Sequence, residues 1–273
     1  MRVASRRLRE ALPVLAAGQE PGSSGRRTVL KLVRTPRRLT RALGAVRELD
    51  VALVLLDELE AAGRSLRTAA ATVRHVVRWE REVRRGELGR RLQQADFEKL
   101  RQRIAALLLD FEVTAAAGAW RSLLSTRIAR RAADVREAVD RAGLLYAPDR
   151  LHGVRVTAKK LRYALELARE LARVPTLQVL TQLKQLQDLL GRMHDLEVLA
   201  GYTRLLDLQV STRGRQHARI AGLLNTIEEE VRRLHATYLA SRPVLDTIAA
   251  RCDSDFCPRL GGPPTPDSGS SGT

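Results

Sequence analysis

The chain has 273 residues, enough for one large domain or two modest ones. Lysine and arginine number 48 against 31 acidic residues, and this formal charge of +17 predicts an anionic partner such as nucleic acid, a phosphate polymer or an acidic membrane surface. Arginine-rich, solvated helix faces would explain the bulk excess equally well. The sequence has no run of about 18 apolar residues, so no membrane span is expected.

The first half of the chain predicts a series of helices. Hydrophobic residues make up 44% and aromatic residues only 3%, so the core should consist of leucine, valine and alanine, a composition that favours helix. Loops are expected at 18–25 and around Gly86 and Gly118, and Gly44 is a candidate break. The helices are expected at about 1–17, 28–43, 45–62, 64–85, 94–117 and 119–142. No period-2 run of β-branched residues occurs, so no sheet is predicted.

The second half begins after a boundary marked by Gly143 and Pro148. Helices are expected at about 149–173, 176–190 and 214–240, followed by a short one from 243 to 250. The tail at 252–273 is rich in Gly, Pro and Ser and is predicted to be disordered. Its two cysteines, Cys252 and Cys257, are a weak metal signal and are expected to be reduced thiols of a cytosolic protein.

A basic stripe runs along the helix predicted at 149–173. At about 100° per residue one apolar face forms, and a second set of residues falls in an adjacent sector about 80° wide. The apolar set is Val154, Ala158, Leu161, Leu165, Ala168 and Ala172. The basic set is His152, Arg155, Lys159 and Arg162. A single stripe of this kind is usually a solvated face, so the stripe alone does not establish a binding site.

The same pattern occurs twice in the chain. Residues 1–12 align without gaps to 154–165, with six of the twelve positions identical. LGAVRELDV at 43–51 aligns to LGRMHDLEV at 190–198, and the two motifs follow in the same order in both halves. We infer two homologous helical half-domains related by a pseudo-two-fold axis. A basic helix that is used twice favours a binding function for the stripe.

These motifs resemble the CHAD family, the conserved histidine α-helical domain. The resemblance rests on RVASRRLR at 2–9, LGAVRELDV at 43–51, LHGVRVTAKKLRY at 151–163 and LKQLQDLLGRMHDLEVL at 183–199. It implies an all-α fold in which two pseudo-symmetric helical bundles, produced by internal duplication, form one compact domain. The domain is expected over 1–251, with half-repeats at about 1–143 and 147–251.

The resemblance also implies a function, the binding of inorganic polyphosphate through basic and histidine side chains. In the second half the matching residues are His152, Arg155, Lys159, Lys160, Arg162, Lys184 and His194. In the first half they are Arg2, Arg6, Arg7, Arg9, Arg37 and Arg47. The family pattern places a histidine three residues before the first-half arginine, a position that falls before Met1. The first-half histidine is therefore expected to be missing.

The sequence favours a binding protein over an enzyme. It contains no Gly-rich phosphate loop, nucleophile elbow or HExxH motif, and its motif helices carry few acids. No catalytic residue, metal site or cofactor is therefore expected. The segments at 43–51 and 190–198 contain four acids that are expected to pair with arginines and hold them in position. These acids are Glu48, Asp50, Asp195 and Glu197.

Two other functions stay open. A nucleic-acid-binding protein would fit the charge, although no known recognition motif occurs and few aromatic residues are available for stacking on bases. A metal-dependent phosphohydrolase is the third hypothesis. No signal peptide is expected, because arginines occupy the place of its apolar region, so we expect a cytoplasmic protein. Association with polyphosphate granules and the oligomeric state are left open.

Overall fold

The computed structural model describes residues 11–12, 24–63, 66–115, 119–209 and 214–261. Within these ranges the chain is helical and contains no strand, which confirms the predicted all-α class. The seven long helices are α1 (Ser24–Ala62), α2 (Arg67–Gln93), α3 (Phe97–Ala115), α4 (Ala119–Ala142), α5 (Pro148–Ala172), α6 (Leu177–Gln209) and α7 (Arg215–Arg251). A π-helical turn at Cys252–Phe256 and the short helix α8 (Cys257–Arg259) follow. Almost all of the helix predicted at 1–17 lies outside the described residues.

Several helices are longer than the sequence predicts. The breaks expected at Gly44, Gly86, Gly191 and Pro243 are wrong, because α1, α2, α6 and α7 run through these positions without interruption. An interior glycine costs a helix only about 1 kcal/mol relative to alanine. Packing of the apolar face on both sides of the glycine readily offsets a penalty of this size.

The helix break predicted at Gly143 and Pro148 is confirmed. Gly143 follows the last residue of α4 with a φ of 63°, a left-handed conformation that favours glycine. Pro148 begins α5, where its missing N–H is not needed. The Leu151 N–H then donates to the Ala147 carbonyl over 3.0 Å. The turn thus fixes where α5, the helix with the basic stripe, starts.

The chain folds into two compact units. Among the described residues, unit 1 comprises 11–12, 24–37, Phe97–Gln187 and 241–261, and unit 2 comprises Arg38–Asp96 and Asp188–Ala240. Each unit draws on both of the predicted half-repeats, so packing does not follow a boundary near residue 143. The internal duplication stays a prediction.

The core of unit 1 includes the predicted apolar face of α5. Its members are buried except for the half-buried Ala172; Val154, Ala158, Leu161, Leu165 and Ala168 are fully inaccessible. Two side chains of the following segment bond to the backbone of α5. Gln187 Nε2 donates to the Ala158 carbonyl over 3.1 Å, and Thr176 Oγ1 donates to the Leu165 carbonyl over 3.4 Å. These hydrogen bonds hold the start of α6 against α5.

The segment after α7 corrects the predicted tail. Residues 252–261, expected to be disordered, are mostly helical and pack into unit 1, whereas 262–273 lie outside the described residues. Cys252, Phe256, Cys257 and Leu260 are buried. These four apolar residues lie at helical spacing, a pattern that the Gly- and Pro-rich composition of the whole tail conceals. Burial raises the pKa of both thiols, which makes them poor nucleophiles.

Unit 2 has a leucine- and valine-rich core of its own. The buried residues of α1, α2, α6 and α7 in this unit include Leu49, Leu55, Leu56, Val73, Val77, Leu196, Leu199, Leu223 and Ile227. The composition of this core agrees with the scarcity of aromatic residues. None of the described helices is both long and apolar enough to cross a membrane.

Candidate anion-binding site

The predicted basic stripe lies on α5 in unit 1. From His152 to Arg162 it extends about 15 Å along the helix, given a rise of 1.5 Å per residue. His152 is exposed, but Arg155, Lys159 and Arg162 are each half-buried. Long cationic side chains can bury their aliphatic stems and keep the charged group at the surface. The stripe is therefore not a freely solvated helix face, and its cations have limited freedom to move.

The charged groups of the stripe influence the histidine at its start. Desolvation is the largest cause that lowers the pKa of His152 below its ordinary value of 6.5, and the positive charges of Arg155 and Lys159 lower it further. The negative charge of the Asp149 carboxylate raises the pKa of His152, but by less than these effects lower it. At neutral pH the imidazole is therefore mostly neutral. A bound polyanion would raise its pKa by placing negative charge beside it.

Arg162, at the other end of the stripe, is held by two neighbours. Its Nη1 donates to Glu166 Oε1 over 3.0 Å, a pair spaced four residues apart on α5. Its guanidinium carbon lies 4.9 Å from the centre of the Tyr163 ring. Restraint of this kind fixes the orientation of the planar donor group.

A cleft of about 220 Å³ opens beside Arg162. The residues of α5 and α6 that line it are Arg162, Glu166, Arg169, Glu170, Leu180, Thr181 and Lys184. It thus brings together two of the predicted site residues, Arg162 and Lys184, from different helices of unit 1. Arg169 adds a third cation, while the two glutamates make the cleft less positive. None of these lining residues is aromatic.

Other predicted residues lie elsewhere. Lys160 is half-buried on α5, about 100° around the helix from Lys159, so it does not share the stripe. Arg37 is exposed in unit 1. Arg47, exposed on α1, and His194, half-buried on α6, belong to unit 2. Four predicted arginines lie outside the described residues: Arg2, Arg6, Arg7 and Arg9.

The expected pairing of acids with arginines is confirmed for two residues. Asp50 accepts a hydrogen bond from Arg81 Nε over 2.6 Å, and Glu197 accepts one from Arg204 Nη1 over 3.0 Å. Neither arginine belongs to the predicted site. These carboxylates therefore hold structural arginines of unit 2 and do not orient the cations of the stripe.

Sequence reasoning missed Glu166, Glu170 and Arg169. The spacing of four residues between Arg162 and Glu166 is a recognisable signal for an ion pair on a helix. The role of Arg169 has no such signal, because it depends on where α6 packs against α5. Which side chains line the same cleft depends on the tertiary structure, and the local sequence does not show it.

Comparison with known proteins agrees with this all-helical architecture. A family model described as the CHAD domain matches residues 1–204. The chain therefore belongs to the CHAD domain family. Its fold is similar to the crystal structure of the CHAD domain from the plant Ricinus communis, with a TM-score of 0.55 and 23% sequence identity over 92% of this chain and 79% of that chain. At this identity the likeness concerns the fold alone. No curated protein matches the chain.

Proposed function

We propose that the protein binds inorganic polyphosphate on unit 1, through the stripe of α5 and the adjoining cleft. The observation that carries the proposal is the cleft itself, in which Arg162 from α5 and Lys184 from α6 lie together. Two helices that contribute cations to one place can hold a chain on two sides. Membership of the CHAD domain family supports the same ligand. The resemblance to this family implies polyphosphate binding through basic and histidine side chains, and Arg162 and Lys184 are among the residues that match.

The chemistry of the stripe suits a linear phosphate polymer. Each repeat of such a chain carries about one negative charge and presents no bases or other groups to recognise. Arginine can donate two parallel hydrogen bonds to phosphate oxygens, whereas lysine acts as a point charge. The half-buried cations are already restrained, so binding would sacrifice little side-chain entropy.

The lining of the cleft favours phosphate over nucleic acid as its ligand. Among the described residues, Leu180 and Thr181 are its only uncharged members. Bases of a single strand would find no aromatic ring among these side chains on which to stack. An unbranched polyanion without bases requires only the cations.

We further propose that the protein binds this polymer without catalysis. The stripe consists of cations and one histidine, and the cleft glutamates lie beside arginine, where Glu166 forms an ion pair. Carboxylates engaged in this way are poorly suited to hold a catalytic metal. In a cell, binding alone would serve granule association or phosphate storage.

Competition binding would test both proposals. Labelled long-chain polyphosphate is bound to the full chain at fixed ionic strength, since phosphate contacts make affinity depend steeply on salt. Unlabelled polyphosphate should displace the probe far better than duplex DNA, ATP or pyrophosphate, with or without Mg²⁺. Stronger displacement by duplex DNA would contradict polyphosphate binding. Mg²⁺-dependent release of orthophosphate would contradict the absence of catalysis.

A cellular experiment would test the proposed location. A fluorescent fusion of the full chain should be cytoplasmic and coincide with polyphosphate-stained granules. A fusion with Arg155→Gln, Lys159→Gln and Arg162→Gln should be diffuse at equal abundance. If that variant stayed on the granules, another surface would be responsible for association.

A further inference from the structure

A second cationic surface lies on α2 in unit 2. This helix contains eight arginines and three glutamates. All three glutamates are engaged by arginines of the same helix: Glu80 and Glu87 by Arg84, and Glu82 by Arg81. Within the described part of the chain, the side chains of Arg78, Arg90 and Arg91 make no hydrogen bond or ion pair, and all three are exposed. Their charges are available to a partner.

An exposed aromatic side chain lies among these arginines. Trp79 is 65% exposed, more than any other aromatic residue that the structure describes. Val83, one turn further along α2, is 41% exposed, and His75, one turn earlier, is also exposed. At 100° per residue these three side chains form a strip on one face. Arg90, about 20° from Trp79, shares this face, while Arg78 lies about 100° around the helix from the indole. An indole left in water at this position has no role in the core of unit 2.

The same face has open space beside the indole. Gly86 lies seven residues after Trp79, hence on the same side of α2 about 10 Å away. A Cβ placed on Gly86 would contact nothing within 4 Å, so packing does not require glycine there. The surface two turns from the tryptophan is therefore open to a further base of a strand that is stacked on Trp79.

We propose that this face of α2 binds single-stranded nucleic acid, with a base stacked on Trp79 and phosphates bound by Arg78 and Arg90. Exposed arginines supply the charge complementarity, and the indole supplies the stacking surface that every base can use. Polyphosphate has no group that would make use of Trp79. An anionic membrane is disfavoured because Trp79 and Val83 offer little apolar area for insertion. The surface belongs to unit 2, whereas the cleft proposed for polyphosphate belongs to unit 1.

Tryptophan fluorescence gives a direct test. The chain has two tryptophans, and Trp120→Phe leaves Trp79 as the only one. Oligothymidylate of about 12 nucleotides, within the site sizes of single-strand binders, should quench Trp79 in this full-length background. Trp79→Ala, made in the wild-type chain, should weaken oligothymidylate binding about tenfold by anisotropy, which corresponds to the loss of one stacked base. Its polyphosphate affinity should not change.

Further variants separate stacking from charge. Trp79→Phe keeps an aromatic ring and should retain most of the affinity. Arg78→Gln with Arg90→Gln should lower the slope of log affinity against log salt by about 1.4, or 0.7 for each phosphate that is no longer neutralised. Equal affinity of wild type and Trp79→Ala for oligothymidylate would overturn the proposal. Tighter binding to duplex DNA or to phosphatidylserine vesicles than to oligothymidylate would also overturn it.

Discussion

The cations of α5 and those of α2 are held in different surroundings. On α5 the two arginines and the lysine of the stripe are half-buried, and Arg162 is fixed by Glu166 and faces a cleft without aromatic residues. On α2 three arginines without side-chain partners are exposed and lie on the helix that presents Trp79. Both helices carry a large positive charge, so charge alone does not distinguish them. Burial and neighbouring groups decide which polyanion each surface suits.

The largest difference between the two helices should be in stability. Leu161 is inaccessible beneath the α5 stripe, and Leu161→Ala should lower the free energy of unfolding by about 2–5 kcal/mol, as usual for a core leucine. Val83 is 41% exposed on α2, so Val83→Ala should have an effect below about 0.5 kcal/mol. Denaturant titration followed by circular dichroism would measure both. Similar losses of unfolding free energy for the two variants would show that the face of α2 with Val83 is not solvated.

The next largest effect should be on polyphosphate affinity. Arg155→Gln, Lys159→Gln and Arg162→Gln together remove three charges from the stripe. Charge-assisted hydrogen bonds contribute about 1.5–3 kcal/mol each, so the loss of two of the three bonds already predicts a fall in affinity of at least about 100-fold. Isothermal titration at fixed salt would measure it, and helicity should stay unchanged.

A second triple variant, which removes the same number of positive charges, controls for the effect of net charge on binding. Arg78→Gln, Arg90→Gln and Arg91→Gln remove the same three charges from α2. Polyphosphate binding should then show only the modest loss that a lower net charge causes. Equal losses in the two triple variants would mean that polyphosphate responds to bulk charge and not to the stripe.

A smaller effect should appear in the pH dependence. In the free protein the pKa of His152 is below 6.5, and polyphosphate bound beside it is expected to raise this pKa. The bound state therefore takes up protons, so affinity should rise several-fold as pH falls from 8 to 6 and level off below the pKa of the free protein. His152→Gln should flatten this profile, whereas His75→Gln on α2 should leave it unchanged. Equal affinity of the wild type at both pH values would contradict a protonated His152 in the complex.

The smallest effects concern two glycines, whose substitution should act in opposite directions. Gly143 precedes α5 with a φ of 63°, so Gly143→Ala should destabilise the protein by about 1–2 kcal/mol. Gly86 is inside α2 with open space around it, so Gly86→Ala should stabilise by about 0.5–1 kcal/mol. Thermal unfolding would show both shifts. A lower melting temperature for Gly86→Ala would mean that the glycine has a structural role.

Local features of the fold could be predicted from the sequence, and long-range ones could not. Gly143 and Pro148 mark the start of α5 correctly, because each residue has a strong positional preference at a helix end. The breaks predicted at Gly44 and Gly191 are wrong, since a glycine's cost of about 1 kcal/mol is smaller than the stabilisation from packing on both sides of it. Each of the two units combines segments that are far apart in the sequence, and local patterns cannot predict which segments pack together.

Of the candidate site, too, the local part could be predicted from the sequence and the long-range part could not. The stripe from His152 to Arg162 follows from helical spacing alone, and α5 does present these residues along one side. The meeting of Arg162 with Lys184 depends on the packing of α6 against α5, and helical spacing did not predict it. The exposure of Trp79 could not be predicted, because an exposed and a buried tryptophan look alike in a sequence.

Lysine footprinting tests the central claim most directly. The chain has only five lysines, Lys31, Lys99, Lys159, Lys160 and Lys184, so acetylation of each can be followed by mass spectrometry. With saturating polyphosphate, acetylation of Lys159 and Lys184 should slow strongly. That of Lys99, exposed on α3 in the same unit, should stay unchanged. If polyphosphate binds while Lys159 and Lys184 react at their original rates, the site is not on α5 and α6.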